Sequence, residues 1–413
     1  MRVRFESFGG IVASDAPPFL AFVDRQYLRE QGYAPSERWR DGDESVGVLS
    51  APVEVHFACT NRCSLGCSHC YMNSGNEDEH TLDTPRFKAA LDALAGMGVF
   101  HVALGGGEAL ERGDLFELAA YARQIGLVPN LTTNGRLVDS ATAERMRVFG
   151  QVNLSLDGVG AAARTFRDGV EFERIDHAFT LLQQAGVAAG INCVIGRRNL
   201  DALPELFHYA AAKGVSEIEL LRFKPSGRGN ALYAQHATTA EQNRTIYPLF
   251  ERLSGQSGVK AKIDCSFLPM LCYHRPPAEL LEALCVCGCE AGNFLLGAHS
   301  DGRACGCSFL PPLDLHVSQL PEQWQTSPHL QRYRGWTHMQ AQPCASCDYL
   351  RFCKGGCHAV ALAVTGDLDA PDPDCPWVAE AGLTANVSGH GSCSAVSECV
   401  SCIHIGDESC EPT

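Results

Sequence analysis

The chain has 413 residues, of which 45% are hydrophobic, and at about 150 residues per domain this length predicts two or three globular domains. Its formal charge of −15 argues against nucleic acid or an anionic membrane as a partner. Because it also lacks a signal peptide and any apolar run of about 20 residues, we expect a cytoplasmic protein. Its 21 cysteines indicate metal or redox chemistry, since a reducing compartment excludes a disulfide framework.

The first 50 residues, 1–50, form an N-terminal segment. A turn at Gly9-Gly10 is predicted between two short β-like runs, followed by a helix near Phe22–Glu30. These residues by themselves assign the segment no role.

Residues 51–235 alternate short apolar runs with longer helical patterns. Such alternation is typical of repeated βα units, and six units predict an α/β fold with a partial (β/α)6 TIM-like barrel. The predicted strands are Val53–Phe57, Phe100–Leu104, Leu127–Thr132, Gln151–Leu156, Val187–Ile195 and Val215–Leu221. The predicted helices are one that begins at Thr84-Pro85 and four at Asp114–Gln124, Ser140–Arg147, Phe172–Ala185 and Leu203–Lys213.

Chemically active residue types follow the ends of the first four predicted strands. Functional groups of parallel α/β sheets lie on loops at the carboxyl ends of the strands, so we expect these segments to meet at one mouth of the barrel. Taken singly, the glycine-rich segment and the Asx-Gly turns are also typical of ordinary turns between a strand and a helix. In chain order the segments are 63–70, Gly105-Gly106-Gly107-Glu108, Thr133-Asn134-Gly135 and Ser155-Leu156-Asp157-Gly158.

Cys63, Cys67 and Cys70 form a Cx3Cx2C loop directly after the first strand. Three thiolates on one short loop suit three corners of a [4Fe-4S] cluster and leave the fourth iron open to a small molecule. The alternative is a zinc site, which needs four ligands and could be completed by His69 or Cys59.

Residues 236–379 are rich in cysteine and weak in periodicity, as expected where metal ligation replaces part of a hydrophobic core. Cys289 is followed after twelve residues by Gly302 and after four more by Cys307. A Cx2Cx5Cx3C run and one last cysteine complete the pattern, at Cys344, Cys347, Cys353, Cys357 and Cys375. A double zinc ribbon is the alternative to iron-sulfur clusters here.

Residues 380–413 are rich in Ser, Gly and Cys, and we expect a flexible tail. Three interpretations of its thiols are open: incidental cysteines, an extra metal or redox site, or a substrate-like peptide fused to an enzyme. The tail cysteines are Cys393, Cys399, Cys402 and Cys410.

With these motifs the chain resembles the radical S-adenosylmethionine (SAM) superfamily, and the seven-cysteine pattern resembles the SPASM domain of members that mature peptides and proteins. The resemblance implies that Cys63, Cys67 and Cys70 hold a [4Fe-4S] cluster whose open iron binds SAM. Ala109 stands where the family usually has proline. The SAM contacts that the resemblance implies are Gly106, Gly107, Glu108, Asn134, Ser155, Asp157 and Arg167.

The same resemblance implies two auxiliary [4Fe-4S] clusters, which makes three clusters in all. Cys289, Cys307 and Cys357 would hold the first auxiliary cluster, and this set lacks a fourth ligand. Candidates for it are Cys285, Cys287 and Cys305, and a site left open to substrate is the other option. The second auxiliary cluster would be held by Cys344, Cys347, Cys353 and Cys375.

The resemblance implies an enzyme that reductively cleaves SAM to a 5′-deoxyadenosyl radical and modifies a ribosomally synthesised peptide. The change would be a thioether or carbon–carbon cross-link, epimerisation or a related reaction. The alternative within this class is formylglycine formation on a protein, as in sulfatase maturases, and the alternative outside it is a non-catalytic iron-sulfur or zinc protein. Expected partners are a peptide or protein substrate and an electron donor such as flavodoxin or ferredoxin. Residues 1–50 are loosely similar to the peptide-recognition domains of maturases, although short, and spacing alone selects no catalytic acid or base.

Overall fold

A computed structural model of the chain describes residues 1–15, 18–39, 47–76 and 79–382. Nearly all of the predicted tail, including Cys393, Cys399, Cys402 and Cys410, lies outside the described residues, so the three interpretations of its thiols stay open. In the described part, no helix is both long enough and apolar enough to cross a membrane.

The described residues form two sheets. The smaller sheet is antiparallel and has three strands, β1 (Arg2–Glu6), β2 (Gly9–Asp15) and β3 (Pro18–Asp24). The larger sheet contains β4 (Glu54–Thr60), β5 (His101–Gly106), β6 (Val128–Thr133), β7 (Val152–Ser155), β8 (Ala189–Ile195), β9 (Glu217–Arg222), β10 (Lys260–Ile263), β11 (Leu295–Ala298), β12 (Arg303–Cys305) and β13 (Pro312–His316).

The α-helices connect and cover these strands. In chain order they are α1 (Arg25–Glu30), α2 (Thr84–Met97), α3 (Leu115–Gln124), α4 (Ser140–Arg145), α5 (Phe172–Gln184), α6 (Leu203–Ala212), α7 (Tyr233–His236), α8 (Ala240–Ser257), α9 (Leu268–Tyr273), α10 (Ala278–Ala283), α11 (Leu320–Gln323), α12 (Pro328–Arg334), α13 (Leu350–Cys353), α14 (His358–Thr365) and α15 (Pro376–Glu380).

The larger sheet is ordered β10-β9-β8-β7-β6-β5-β4-β11-β12-β13. β4 to β9 are the six predicted strands, and all pair in parallel, which confirms the predicted partial barrel. β10 and β11 extend this sheet in parallel at its two ends, through pairs such as Lys260↔Glu217 and Leu295↔Glu54. β12 and β13 then add antiparallel strands. These four strands come from the cysteine-rich region, so the sheet continues past the domain boundary proposed at residue 235.

Helix α2 shows why the predicted helices form where the sequence places them. Asp83 caps its first turn by accepting a hydrogen bond from a backbone N–H, and Pro85 occupies the first turn, where a missing N–H costs nothing. Gly98, at a φ of 82°, ends the helix in the left-handed conformation. The buried Phe87 ring of α2 stacks on Phe57 of β4 with 4.3 Å between ring centroids. The helices thus cover the outer face of the barrel sheet.

The inner face of the barrel sheet is polar. Side chains alternate between the two faces of a strand, and on β4 Val55 and Phe57 are buried in the core while Glu54 and His56 line the interior of the barrel. His101 on β5 follows the same rule. The interior is therefore a cavity with polar side chains on its strands, unlike the apolar layers that fill a closed TIM barrel.

The N-terminal sheet packs against the amino-terminal end of the barrel. Its Phe8 and Ile11 form an apolar cluster with Leu49 and with Phe100, which directly precedes β5. The buried Arg4 donates to the carbonyl oxygens of residues 51, 52 and 98 and pairs with a neighbouring glutamate. The described residues of this segment, 1–15 and 18–39, thus lie opposite the end that carries the Cys63–Cys70 loop.

The N-terminal segment differs locally from its prediction. The turn falls at residues 7–8, Gly9 and Gly10 begin β2, and the predicted helix starts only at Arg25, because Asp24 caps it. A Cβ at Gly9 would lie 2.3 Å from the Val23 carbonyl oxygen. The two glycines therefore allow close packing of the strands. In the sequence a Gly-Gly pair predicts a turn, because turns are the usual place for glycine.

Candidate functional site

A cavity of about 1260 Å³ occupies the barrel interior, and its lining reaches from Met1 and Val128 near the amino-terminal ends of the strands to the cysteine loop at their carboxyl ends. It brings together residues that the sequence analysis selected from four separate loops. Those lining it are Cys63, Cys67, Cys70, Gly106, Gly107, Glu108, Asn134, Ser155 and Arg167, together with Cys305 from the cysteine-rich region. Asp157 is the selected residue of this group that does not line the cavity.

The cysteine loop is held by backbone contacts that the sequence analysis missed. Arg228, in the loop after β9, donates from Nε to the Cys67 carbonyl oxygen at 2.9 Å and from its backbone N–H to the Cys70 carbonyl oxygen at 2.9 Å. At the start of the loop, the Cys63 N–H donates to Gly75 at 2.8 Å. Arg228 lies 158 positions from Cys70 in sequence, so no local pattern could reveal this clamp.

The three loop thiols border the cavity, and their surroundings shift the pKa values of two of them. Burial raises the pKa of Cys63 to about 11. Burial also raises the pKa of Cys67. The neighbouring Cys70 raises this pKa further, whereas the Arg167 guanidinium lowers it. Coordination to iron deprotonates such thiols outright, and nearby arginines favour the resulting anions.

In the described part of the chain, no three His, Cys, Asp or Glu side chains converge tightly enough to hold one metal ion. A cluster makes a different demand, because its thiolate ligands bind different irons. Three partly buried thiols on one loop that all border a cavity fit that requirement.

Gly106 and Gly107 are required by the protein's own backbone. Gly106 has a φ of 105°, and a Cβ there would lie 2.4 Å from the Thr60 carbonyl oxygen. A Cβ at Gly107 would lie 2.1 Å from the Arg62 carbonyl oxygen. The glycines let the end of β5 pack against the residues that lead into the cysteine loop, and so they set the position of that loop.

Replacing Gly107 by alanine is expected to displace the cysteine loop, because the clash is with rigid backbone. We expect a loss of about 1–3 kcal/mol in stability and of about four irons per chain after reconstitution. Gly105→Ala is the matched control, since its Cβ would meet no atom within 4 Å. Equal iron contents in the two variants would contradict this interpretation.

Glu108 joins the ends of β5 and β6. It is buried, and it accepts hydrogen bonds from the Thr133 hydroxyl at 2.7 Å, the Asn134 N–H at 2.8 Å and the Leu110 N–H at 3.1 Å. Burial raises the pKa of Glu108, although these donors oppose the shift. Its Oε2 accepts one of these bonds, which leaves that oxygen with capacity for a further donor from the cavity.

Arg167 lines the cavity, and Asp157 lies behind it. The Arg167 Nε is 2.8 Å from the Asp157 carboxylate, which also accepts the Val194 N–H at 2.8 Å. Asp157 is fully buried, so its predicted direct contact with SAM does not fit its position. It orients Arg167 instead. Ser155 and Asn134 border the cavity as predicted.

The cysteines of the C-terminal region affect one another's pKa values within the two proposed groups. The pKa of Cys289 is raised to a high value by burial and by its neighbours Cys307 and Cys357. In the second group, Cys344 interacts with Cys375 and Cys347, and Cys353 with Cys375 and Cys344. Two further cysteines, absent from the sequence analysis, are neighbours of these groups: Cys265 beside Cys289, and Cys272 beside Cys347, Cys353 and Cys375.

The three candidates for the missing ligand have different surroundings. Cys305 lies next to Cys307 and borders the cavity. Cys287 interacts with Lys354, and Cys285 is exposed. Cys265 joins them as a fourth candidate, and its distance in sequence from the motif is the reason that spacing did not select it.

A buried network of charges joins the barrel to both auxiliary groups. Arg222, at the end of β9, donates to both oxygens of Asp372 at 2.7 and 2.8 Å and to Asp374 at 3.0 Å. Asp372 also accepts the Cys357 N–H at 2.8 Å, and its carbonyl oxygen accepts the Cys375 N–H at 3.0 Å. Asp372 therefore contacts a cysteine from each group, Cys357 through its carboxylate and Cys375 through its backbone carbonyl.

Comparison with known proteins gives a consistent family. Residues 57–210 match the family described as the Radical SAM superfamily. The mycofactocin maturase MftC of Mycolicibacterium smegmatis is 32% identical over 336 residues, which are 79% of this chain and 83% of that protein. The PqqA peptide cyclase of Methylorubrum extorquens is 30% identical over 349 residues, 80% of this chain and 86% of that one. The AdoMet-dependent heme synthase of Methanosarcina barkeri is 27% identical over 346 residues, 80% of this chain and 98% of that one.

Among solved structures, SuiB of Streptococcus suis bound to the precursor peptide SuiA matches with a TM-score of 0.69. The match covers 90% of this chain and 98% of that one, at 16% sequence identity. At this identity the likeness concerns the fold, and it agrees with a partial barrel followed by a cysteine-rich region.

Proposed function

The chain belongs to the radical SAM superfamily, and from this premise we propose that it modifies a ribosomally synthesised peptide with the help of three [4Fe-4S] clusters. Membership of the superfamily makes the chain an enzyme that uses a [4Fe-4S] cluster and SAM. It thereby excludes the interpretation of the chain as a non-catalytic binding protein, and it supports an iron-sulfur cluster over zinc at the Cys63–Cys70 loop. The peptide, the two auxiliary clusters and the individual ligands are our proposal.

One observation carries the proposal: the cysteine loop and the cysteine-rich region border the same cavity. The Cys70 end of the loop and the Cys305–Phe309 segment meet there, and the Tyr71 ring lies 4.9 Å from the Phe309 ring. A cavity of about 1260 Å³ exceeds the usual range for a small ligand, about 300–1,000 Å³, and so has room for SAM and part of a peptide. Relatives named as a peptide cyclase and a maturase support a peptide substrate.

Bound together, the cluster and SAM supply one-electron chemistry that abstracts hydrogen from unreactive C–H bonds. The residues of the chain would bind the cluster and SAM, orient them and shield them from water. Cys63, Cys67 and Cys70 would hold the cluster, with the loop fixed by Arg228. Glu108 would accept a hydrogen bond from the SAM ammonium, and Arg167 would pair with its carboxylate.

Other groups complete the SAM site and the auxiliary sites. Gly106, Gly107, Asn134 and Ser155 would form the remaining SAM contacts along the cavity wall. The auxiliary clusters would be held by the two cysteine groups, with the fourth ligand of the first left to Cys265, Cys285, Cys287 or Cys305. An electron donor such as flavodoxin or ferredoxin would supply electrons from outside.

Anaerobic reconstitution with iron and sulfide tests the proposal. We expect about twelve irons per chain, EPR signals from more than one cluster, and SAM-dependent formation of 5′-deoxyadenosine. Co-expression with each short open reading frame next to the gene should give one peptide with a changed mass. About four irons would contradict the auxiliary clusters, whereas zinc without SAM cleavage would contradict the whole assignment.

The identity of the molecule that the enzyme modifies distinguishes a peptide substrate from the alternatives. A sulfatase that gains formylglycine would favour the maturation of a protein. A porphyrin-type substrate, in line with the heme synthase among the relatives, would exclude the peptide.

A further inference from the structure

Charged side chains gather inside the barrel where the first and last parallel strands approach each other. β4 contributes Glu54 and His56, and β5 contributes His101. Across the interior, β9 contributes Glu219 and β10 contributes Lys262, which pair at 3.7 Å. The proposed cluster and SAM contacts use none of these groups.

His56 stands between a carboxylate and a hydroxyl. Its Nε2 is 3.8 Å from Glu54 Oε2, and its Nδ1 is 3.4 Å from the Ser308 Oγ. The His56 side chain keeps 42% of its surface accessible, although its strand lies in the centre of the sheet. That accessible surface faces the cavity, where Ser308 is also a lining residue.

A continuous wall connects His56 with the cysteine loop. Ser308 directly follows Cys307 of the first auxiliary group, and the next residue, Phe309, packs against Tyr71 at 4.9 Å between rings. Tyr71 directly follows Cys70. A substrate in the cavity would thus contact His56 on the wall that Ser308, Phe309 and Tyr71 form beside the cysteine loop.

The charges around His56 suit proton transfer. Desolvation lowers the pKa of His56, but the nearby Glu54 carboxylate outweighs this effect, so the pKa lies above its ordinary value. Burial raises the pKa of Glu54, but His56 and the other nearby cations hold it at about 2. Glu54 therefore stays ionised and stabilises the imidazolium. The charged groups that face this pair are His101, Glu219, Lys262 and Glu290.

We propose that His56 is the general base of the cavity, oriented by Glu54. This inference rests on the proposed function. In the transfer, the bond between hydrogen and a substrate nitrogen, oxygen or sulfur breaks, its electron pair stays on that atom, and a new N–H bond forms on the imidazole. Formation of a cross-link through such an atom needs this proton to leave, and within the described cavity the His56–Glu54 pair offers an acceptor for it.

The test compares His56→Gln with the wild-type holoenzyme, using the peptide whose mass the wild type changes on co-expression. The readout is modified peptide formed per 5′-deoxyadenosine. We expect 5′-deoxyadenosine formation to change little and the ratio to fall by about 10²-fold or more, the usual contribution of a general base. The control is His208→Gln, an exposed position on α6.

The pH profile provides a second measurement. Above the pKa of His56 the imidazole is neutral and can accept a proton, so the ratio should rise with pH through that pKa. Glu54→Gln removes the carboxylate that raises the pKa of His56, while the burial that lowers this pKa persists. The rise of the ratio should therefore move to lower pH. A solely structural role for His56 would lower both products together and leave the profile in place.

A third measurement needs no peptide. In holoenzyme labelled with ¹³C-histidine, the His56 signal should titrate above the ordinary histidine value, and it should titrate lower in Glu54→Gln. An unchanged ratio in His56→Gln, a parallel loss of both products, or a His56 midpoint at or below the ordinary value would each overturn the inference. A wild type that forms no 5′-deoxyadenosine would instead count against the proposed function.

Discussion

Replacing any one of Cys63, Cys67 and Cys70 by alanine is expected to abolish the formation of 5′-deoxyadenosine. We expect a loss of at least about 1,000-fold, because the cofactor carries the chemistry. The three thiols lie on one loop that Arg228 clamps, so removing one leaves the others in place with an incomplete site. Chromatography with mass detection of SAM incubations under reducing conditions measures the product.

Cys59→Ala is the matched control for these variants. Cys59 lies four residues before the loop, but its side chain is fully buried and does not line the cavity. Its thiol contacts the Gly105 carbonyl oxygen at 3.3 Å. This variant should retain cluster content and activity. Activity that survives in Cys67→Ala, or that disappears in Cys59→Ala, would contradict the assignment.

Replacing Asp372 by asparagine is expected to destabilise the protein by about 3–5 kcal/mol, because it leaves the Arg222 guanidinium buried with only part of its counter-charge. Both side chains are almost fully inaccessible. Since the Asp372 carboxylate also accepts the Cys357 N–H, we expect the variant to lose iron from the first auxiliary group. Denaturant unfolding and iron counting measure the two effects.

An exposed ion pair provides the comparison for Asp372. Glu282 and Arg351 approach to 2.7 Å, but about half of each side chain is accessible. Glu282→Gln should therefore cost less than about 1 kcal/mol and leave the iron content unchanged. If Asp372→Asn behaved like Glu282→Gln, the network would not hold the auxiliary groups.

Much of the fold and of the cluster sites could be predicted because their signals are local. The strands that became β4 to β9 are short apolar runs bounded by turn residues, and Cys63, Cys67 and Cys70 reveal themselves by spacing. Contacts between distant segments carry no such signal. Arg222 and Asp372 are 150 positions apart, and Arg228 looks like any surface arginine in the sequence.

The polar side chains inside the barrel could have been predicted from the alternation of residues along the strands. Parallel strands covered on both faces read as continuous apolar runs. β4 instead alternates, with Glu54 and His56 between apolar residues, and β9 repeats the pattern with Glu217 and Glu219. This alternation predicts an open barrel, and it could have singled out His56 before the structure was known.

The continuity of the large sheet limits how the chain can be divided. β4 is bonded on one side to β5 and on the other to β11, and β9 likewise lies between β8 and β10. A fragment that stopped at residue 235 would turn both into edge strands with unpaired backbone groups, which favour aggregation. The cysteine-rich region therefore cannot be exchanged between relatives as an independent module, and chimeras should keep β10 and β11 together with the barrel they complete.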